Sequence, residues 1–103
     1  MNFDNLKYTP VGSAQSVAYT AAAGSTSNFT EGEAVLVWAT TAAHIVVGPG
    51  VTATVSNGTP IPPNVLCVLP TGRKEGTTYR VSAIQATAGG TVYARALSIN
   101  TID

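Results

Sequence analysis

Glycine and proline interrupt this sequence every few residues, and that spacing argues against most helical folds. The chain has 10 glycines and 6 prolines in 103 residues. An amphipathic helix needs apolar residues at a period of 3.6 over a window of about 11–18 residues, and the sequence has no such window. Short runs rich in Val, Thr and Ala lie between the turn residues instead, as in β-proteins. The sequence therefore predicts an all-β fold.

The runs between the turns predict about six to eight short strands in one antiparallel β-sandwich or small barrel of the jelly-roll kind. Their spacing of about eight to twelve residues is typical of such folds. The clearest runs are SAQSVAYTAA (13–22), AVLVWATT (34–41), AHIVVG (43–48), NVLCVLP (64–70), TTYRVSAIQA (77–86) and TVYARALSI (91–99).

Two runs are apolar at nearly every position, 34–41 and 64–70. Such a run suits a strand that is packed on both faces, so we expect both to be central. The only tryptophan, Trp38, lies in the first of them and is the predicted anchor of the core. Removing a buried tryptophan costs about 3–5 kcal/mol.

Other runs alternate between two kinds of side chain. In 13–22, one side carries Gln15, Val17 and Tyr19. In 91–99, one side carries Val92, Ala94 and Ala96, and the other carries Tyr93, Arg95 and Leu97. The small side allows another sheet or subunit to approach closely, whereas the mixed side suits a contact surface. The run 34–41 and the run after it form one predicted hairpin. The last two runs form another, with positive φ at Gly89 and Gly90.

The chain is predicted to be one domain, residues 13–103, preceded by an N-terminal arm or flexible leader at residues 1–12. The leader has Asp4 and no apolar run after a basic patch, so we do not expect a signal peptide. No stretch reaches the roughly 20 apolar residues that span a membrane, so no membrane partner is expected.

Low charge is the most informative property of the composition. Only 10% of the residues are charged, five basic and five acidic, against about 25% in ordinary domains. A surface so poor in charge is expected to be covered by partners in the working state. The predicted interface residues are Phe3, Leu6, Tyr8, Arg73, Lys74, Tyr79, Arg80, Tyr93 and Arg95.

Few residues offer catalytic or metal chemistry, so neither catalytic nor metal-ligating residues are assigned and no cofactor is expected. His44 is the only histidine and Cys67 the only cysteine, whereas a structural zinc site takes four such ligands. Cys67 lies in an apolar run that favours the inert thiol. With a net charge of zero, the long-range attraction to nucleic acid is missing, so no nucleic-acid partner is expected.

Three segments resemble a known family. AVLVWATTAAHIVVGPGVTAT, PIPPNVLCVLPTG and RVSAIQATAGGTVYARALS are similar, in this order, to small all-β proteins encoded near the capsid genes of tailed bacteriophages. The resemblance covers about residues 14–98. The best-matching residues are Ile84, Gln85, Ala86, Ala88, Gly89 and Gly90. The N-terminal leader and PTGRKEGTTYR depart from the family pattern.

The resemblance implies a non-enzymatic virion protein that decorates or cements the assembled capsid. Its partners would be the major capsid protein and further copies of itself, as a trimer or a dimer. It would be made in the host cytoplasm and lie on the outer surface of the capsid. The alternative is a tail- or fibre-associated sandwich that recognises host glycans through exposed aromatic residues such as Tyr19, Tyr79 and Tyr93. An enzyme is the least favoured class.

Overall fold

The computed structural model describes the backbone of residues 6–101 and the side chains of residues 8–99. This part of the chain contains eight strands and no helix. The strands are β1 (Leu6–Tyr19), β2 (Gly24–Ser25), β3 (Ala34–Ala39), β4 (Ala43–Gly48), β5 (Thr59–Ile61), β6 (Cys67–Pro70), β7 (Arg80–Gln85) and β8 (Gly90–Thr101). Across residues 6–101, therefore, no helix could cross a membrane.

The strands form two antiparallel sheets of four strands each. Sheet A has the order β1-β8-β3-β6, and sheet B has the order β2-β7-β4-β5. The first strand pairs with the last, the second with the seventh, the third with the sixth and the fourth with the fifth. A long hairpin rolled into two sheets gives this nested pairing, which is the jelly-roll arrangement. The predicted all-β fold is confirmed, and of the two predicted forms, sandwich or small barrel, the structure is the sandwich.

Both predicted hairpins are wrong. β3 and β4 lie in opposite sheets, and so do β7 and β8. Their short connections cross between the sheets at one end of the sandwich. There the Thr41 hydroxyl donates a hydrogen bond to the Ala88 carbonyl at 3.0 Å, and the Tyr19 hydroxyl donates one to the Thr41 carbonyl at 2.8 Å. These bonds tie the two crossings to each other and to β1.

The glycines of the second crossing do not have the predicted positive φ. The left-handed glycines of the described chain lie elsewhere. At Gly90 the constraint is space, because a Cβ there would lie 2.5 Å from Thr41 Oγ1 and 2.8 Å from Tyr19 Oη. Gly90 therefore serves the close packing of the crossings rather than a tight hairpin turn.

The core lies between the two sheets and is built from alternate residues of the central strands. Inward-facing side chains from β3, β4, β7 and β8 are Val35, Val37, Ala39, Ala43, Ile45, Val81, Ala83, Val92, Ala94 and Ala96. Tyr19 closes one part of this core, on the side of 13–22 that also carries Val17. The side of β8 that carries Val92, Ala94 and Ala96 faces sheet B. Because these side chains are small, the two sheets can approach closely.

Tyr79 and Phe29 form the aromatic part of the core. Their rings stack with centroids 5.2 Å apart and planes 14° from parallel. The Tyr79 hydroxyl donates a hydrogen bond to the Glu31 carbonyl at 2.9 Å. Burial raises the pKa of Tyr79 to about 12, and the Glu31 and Glu33 carboxylates act in the same direction while Arg73 opposes them.

Three expectations about aromatic residues are therefore corrected. Trp38 does not anchor the core, because successive side chains of a strand point to opposite faces and Val35 and Val37 take the inner one. Tyr79, predicted at an interface, is fully buried, and Tyr19 is buried as well. Neither tyrosine is available to a partner or a glycan.

Much of the predicted leader belongs to β1. Leu6 pairs with Thr101 and Val11 with Ala96, so residues 6–11 form a strand along the second half of β8. The register shifts between Val11 and Gln15, where Gly12 adopts a φ of 69°. Phe3 lies outside the described residues, as does the side chain of Leu6.

Candidate functional site

The outward side chains of β3, β6 and β8 form one apolar surface on sheet A. In the sheet register Trp38 lies opposite Tyr93, and Leu36 lies between Arg95 and Val68. Leu66, just before β6, lines a groove together with Leu36, Trp38, Tyr93 and Arg95. We name this surface the open face. Its members are Leu36, Trp38, Leu66, Val68, Tyr93 and Arg95.

The open face exposes large apolar side chains to solvent. Leu66 is 65% exposed, Val68 is 45% exposed and Tyr93 is 40% exposed. Single exposed apolar residues are ordinary, whereas a contiguous apolar patch on a small protein marks an interaction surface. β6 is the edge strand of sheet A, so the run 64–70 is not the central strand that its composition suggests.

Two aromatic rings of the open face are in contact. Trp38 and Tyr93 stack with centroids 4.6 Å apart and planes 16° from parallel. Beside them lies a shallow groove of about 230 Å³, lined by Ala14, Leu36, Trp38, Leu66, Tyr93, Ala94 and Arg95. Small-molecule sites are usually larger, about 300–1,000 Å³. The groove therefore suits one or two side chains of a partner better than a whole organic ligand.

Arg95 is the charged member of the open face. Its Nε atom is buried and has no hydrogen-bond partner among the described residues. A buried donor without an acceptor costs about 1–3 kcal/mol, and more when the group is charged. The free protein thus holds an unsatisfied cationic donor at the edge of an apolar groove.

The outer face of sheet B is covered by the chain itself. Residues 49–58 follow β4 and lie across this sheet. Arg80 Nε donates a hydrogen bond to the Val51 carbonyl at 2.8 Å, and the Ala53 amide donates one to Ser82 Oγ at 2.9 Å. Ser82 is fully buried beneath this segment. The two sheets therefore differ. Residues 49–58 cover the outer side of sheet B, whereas no segment of the described chain covers the open face of sheet A.

The structure places the predicted interface residues in several regions. Tyr93 and Arg95 lie on the open face, and Tyr8 is exposed on the same side of sheet A, opposite Ile99. Lys74 is exposed and Arg73 half-buried in the loop between β6 and β7. Arg80 holds residues 49–58 on sheet B and does not belong to the open face.

Sequence reasoning missed four members of the open face: it did not single out Leu36, Leu66 and Val68, and it placed Trp38 in the core. The signal was present, since 34–41 and 64–70 are apolar on both faces and only one face of each can meet the other sheet. We interpreted the second apolar face as buried within the domain. In the structure much of it is exposed to solvent.

The residues considered for chemistry lie apart from the open face. His44 is on the outer side of β4, and its Nδ1 atom is buried without a hydrogen-bond partner among the described residues. Cys67 is a half-buried free thiol in β6. Among the side chains that the structure describes, no group of three or more His, Cys, Asp or Glu residues could hold a metal ion.

Comparison of the chain with protein-family models, with curated proteins and with solved structures found no match to any of them.

Proposed function

We propose that this chain is a non-enzymatic structural protein of a tailed-bacteriophage virion, which docks on the assembled capsid through the open face. The observation that carries the proposal is the contrast between the two sheets. The chain covers the outer face of sheet B with residues 49–58 but leaves Leu66, Val68 and Tyr93 exposed on sheet A. Apolar side chains in that position favour a partner that buries them.

Two further points support a virion role. The order and spacing of the three sequence segments resemble phage proteins encoded near the capsid genes. Jelly-roll sandwiches also recur among viral capsid proteins, although a fold by itself does not determine function. In this proposal the protein is made in the host cytoplasm and ends on the outer surface of the capsid. It binds the major capsid protein and associates with further copies of itself.

Reconstitution tests the proposal. Empty heads from a phage that lacks this gene are mixed with the purified protein and imaged by cryo-electron microscopy. Symmetric, stoichiometric density on the shell is expected. Leu66→Glu should abolish binding, because it places a carboxylate in the apolar contact. The control is Val55→Glu, since Val55 is 63% exposed but lies in the segment that covers sheet B. Bare heads, with binding to tails, would overturn the capsid role.

Glycan recognition is the second candidate, and the ring of Tyr93 is the observation that favours it. This ring is exposed beside Trp38, and lectins also use jelly-roll sandwiches. Tyr19 and Tyr79 no longer contribute, because both are buried. Clear hits on a glycan array that are lost in Tyr93→Ala would support this candidate, whereas a blank array would remove it.

A further inference from the structure

We propose that the open face binds a segment of a different protein that places one carboxylate on Arg95 and apolar side chains beside it. This inference rests on the proposed docking role of the open face and specifies the chemistry of the partner. The carboxylate belongs to an Asp or Glu side chain of an otherwise apolar polypeptide segment.

The need for an acceptor follows from Arg95. Its Nε–H is enclosed and unpaired, so a partner reaches the guanidinium through the two Nη atoms, which are not enclosed and make no hydrogen bond or ion pair with the described residues. An arginine guanidinium is planar, permanently charged and matched to the two oxygens of a carboxylate. Hydrogen bonds between ionised partners are about twice as strong as neutral ones. A partner that covers the open face without an acceptor would remove the rest of the guanidinium from water, which is costly.

The need for apolar neighbours follows from the groove walls. Leu36, Leu66 and the stacked pair of Trp38 and Tyr93 line the same groove as Arg95. At about 230 Å³, the groove has room for one or two side chains. A segment with an acidic residue between bulky apolar residues satisfies both the walls and Arg95.

A second copy docked by the same face would not meet these needs. A two-fold contact presents one patch to itself, so two open faces would meet. Arg95 is the charged member of this face, and the face carries no carboxylate among the described side chains. Both guanidiniums would remain without a counter-ion. Self-association through two different patches, as in a ring, stays compatible with the proposal.

The test uses two capped peptides, acetyl-Ser-Leu-Phe-Glu-Leu-Ser-amide and the same peptide with Gln in place of Glu. They are titrated into the intact, isotope-labelled protein while the Arg95 Nε–H and Trp38 indole N–H resonances are followed by NMR. The acidic peptide is expected to shift both resonances and to bind at least about tenfold more tightly than the amide peptide.

Two variants separate the roles of charge and apolar contact. Arg95→Gln is expected to remove the preference for the acidic peptide and leave the weaker apolar binding in place. Leu66→Ala is expected to weaken both peptides equally, and an unchanged amide spectrum elsewhere shows that each variant is folded. Equal binding of the two peptides to the wild-type protein, or shifts at Arg73 or Arg80 instead of Arg95, would overturn the proposal.

Head binding distinguishes this inference from the proposed function. If wild type and Arg95→Gln decorate empty heads equally well, the carboxylate contact is wrong and the capsid role stands. If heads stay bare while the acidic peptide is preferred, the partner chemistry stands and the capsid role is wrong. If the wild-type protein forms dimers through two open faces at NMR concentrations, the occupant is a second copy and the inference is contradicted.

Discussion

Trp38 and Tyr93 lie opposite each other on β3 and β8, with their rings stacked on the side of sheet A that faces away from the core. Val37 and Ala94, the neighbours of these residues along the strands, form the opposite pair and point into the core. One pair of adjacent strands thus builds the interior with small side chains and the outer surface with large ones.

Tyr93→Ala and Val37→Ala are expected to separate binding from stability. Removing the Tyr93 ring should lower the free energy of unfolding by only about 1 kcal/mol, the scale of an exposed aromatic pair. It should also weaken head binding by more than about tenfold. Val37→Ala leaves a cavity in the core and should cost roughly 2 kcal/mol with head binding intact. Urea denaturation and cosedimentation with heads measure both effects. A large loss of stability in Tyr93→Ala with head binding intact, together with a loss of head binding in Val37→Ala without a loss of stability, would contradict this separation.

Gly90→Ala tests the packing of the two sheet crossings. The new Cβ would meet Thr41 Oγ1 at 2.5 Å and Thr40 Oγ1 at 2.6 Å, so a loss of about 1–3 kcal/mol is expected. Ala88→Ser is the control, since it also adds one heavy atom to this crossing but at an exposed position. Its effect should stay below about 0.5 kcal/mol. Equal thermal stability of the two variants would show that the crossings are not closely packed.

Tyr79 is expected to make the protein lose stability in alkali. Burial raises the pKa of its hydroxyl to about 12, whereas the unfolded chain releases this proton near pH 10. Between these values the native state binds more protons, so stability falls as pH rises. The stabilisation is complete below pH 10 and should shrink by on the order of 2 kcal/mol as the pH approaches 12.

Tyr79→Phe isolates this contribution. The variant loses the hydrogen bond to the Glu31 carbonyl and should be about 1 kcal/mol less stable at pH 7. Because it has no hydroxyl to ionise, its stability should decline less steeply above pH 10 than that of the wild type. Urea midpoints measured from pH 7 to pH 11.5 give both slopes. Parallel slopes would show that Tyr79 does not titrate differently in the two states.

Arg80→Gln should loosen the segment that covers sheet B. Its guanidinium bonds the Val51 carbonyl and Thr52 Oγ1, at 2.8 and 3.2 Å. Without these bonds we expect faster amide exchange and proteolysis within residues 49–58, with little change at the open face. Arg73→Gln is the control, because Arg73 contacts a different loop through the Thr77 carbonyl. Unchanged exchange in Arg80→Gln would mean that other contacts hold the segment.

Most of the longer strands, and the two faces of the alternating ones, were predictable from the sequence. The alternation of Val92, Ala94 and Ala96 and that of Val17 and Tyr19 group residues that do share the core side, because the period of a strand is a local property of the chain. The alternation alone did not say which side faces the core.

Strand pairing was not predictable in the same way. Gly89 and Gly90 suggest a hairpin by composition. In the structure, however, β7 pairs with β4, and β8 pairs with β1 and β3. In a jelly roll most consecutive strands lie in opposite sheets, so loop composition does not identify partners. The same glycines fit a crossing because Thr40, Thr41 and Tyr19 leave no room for a side chain at Gly90.

The open face shows what sequence reasoning about doubly apolar runs lacks. For 34–41 the pattern does not say whether Val35 and Val37 or Leu36 and Trp38 meet the other sheet. The structure places the valines inside, where small β-branched side chains fit the space between sheets. Trp38 therefore lies on the outer side of sheet A, where it belongs to the open face.

The central claim is that the open face is buried in the assembled particle, and hydroxyl-radical footprinting tests it most directly. Labelling is measured by mass spectrometry on the free protein and on decorated heads. The account predicts strong protection of Tyr93 and Leu66 on the heads, with Val55 labelled equally in both samples. Equal labelling of Tyr93 and Leu66 in the two samples, with protection of Val55 instead, would contradict it.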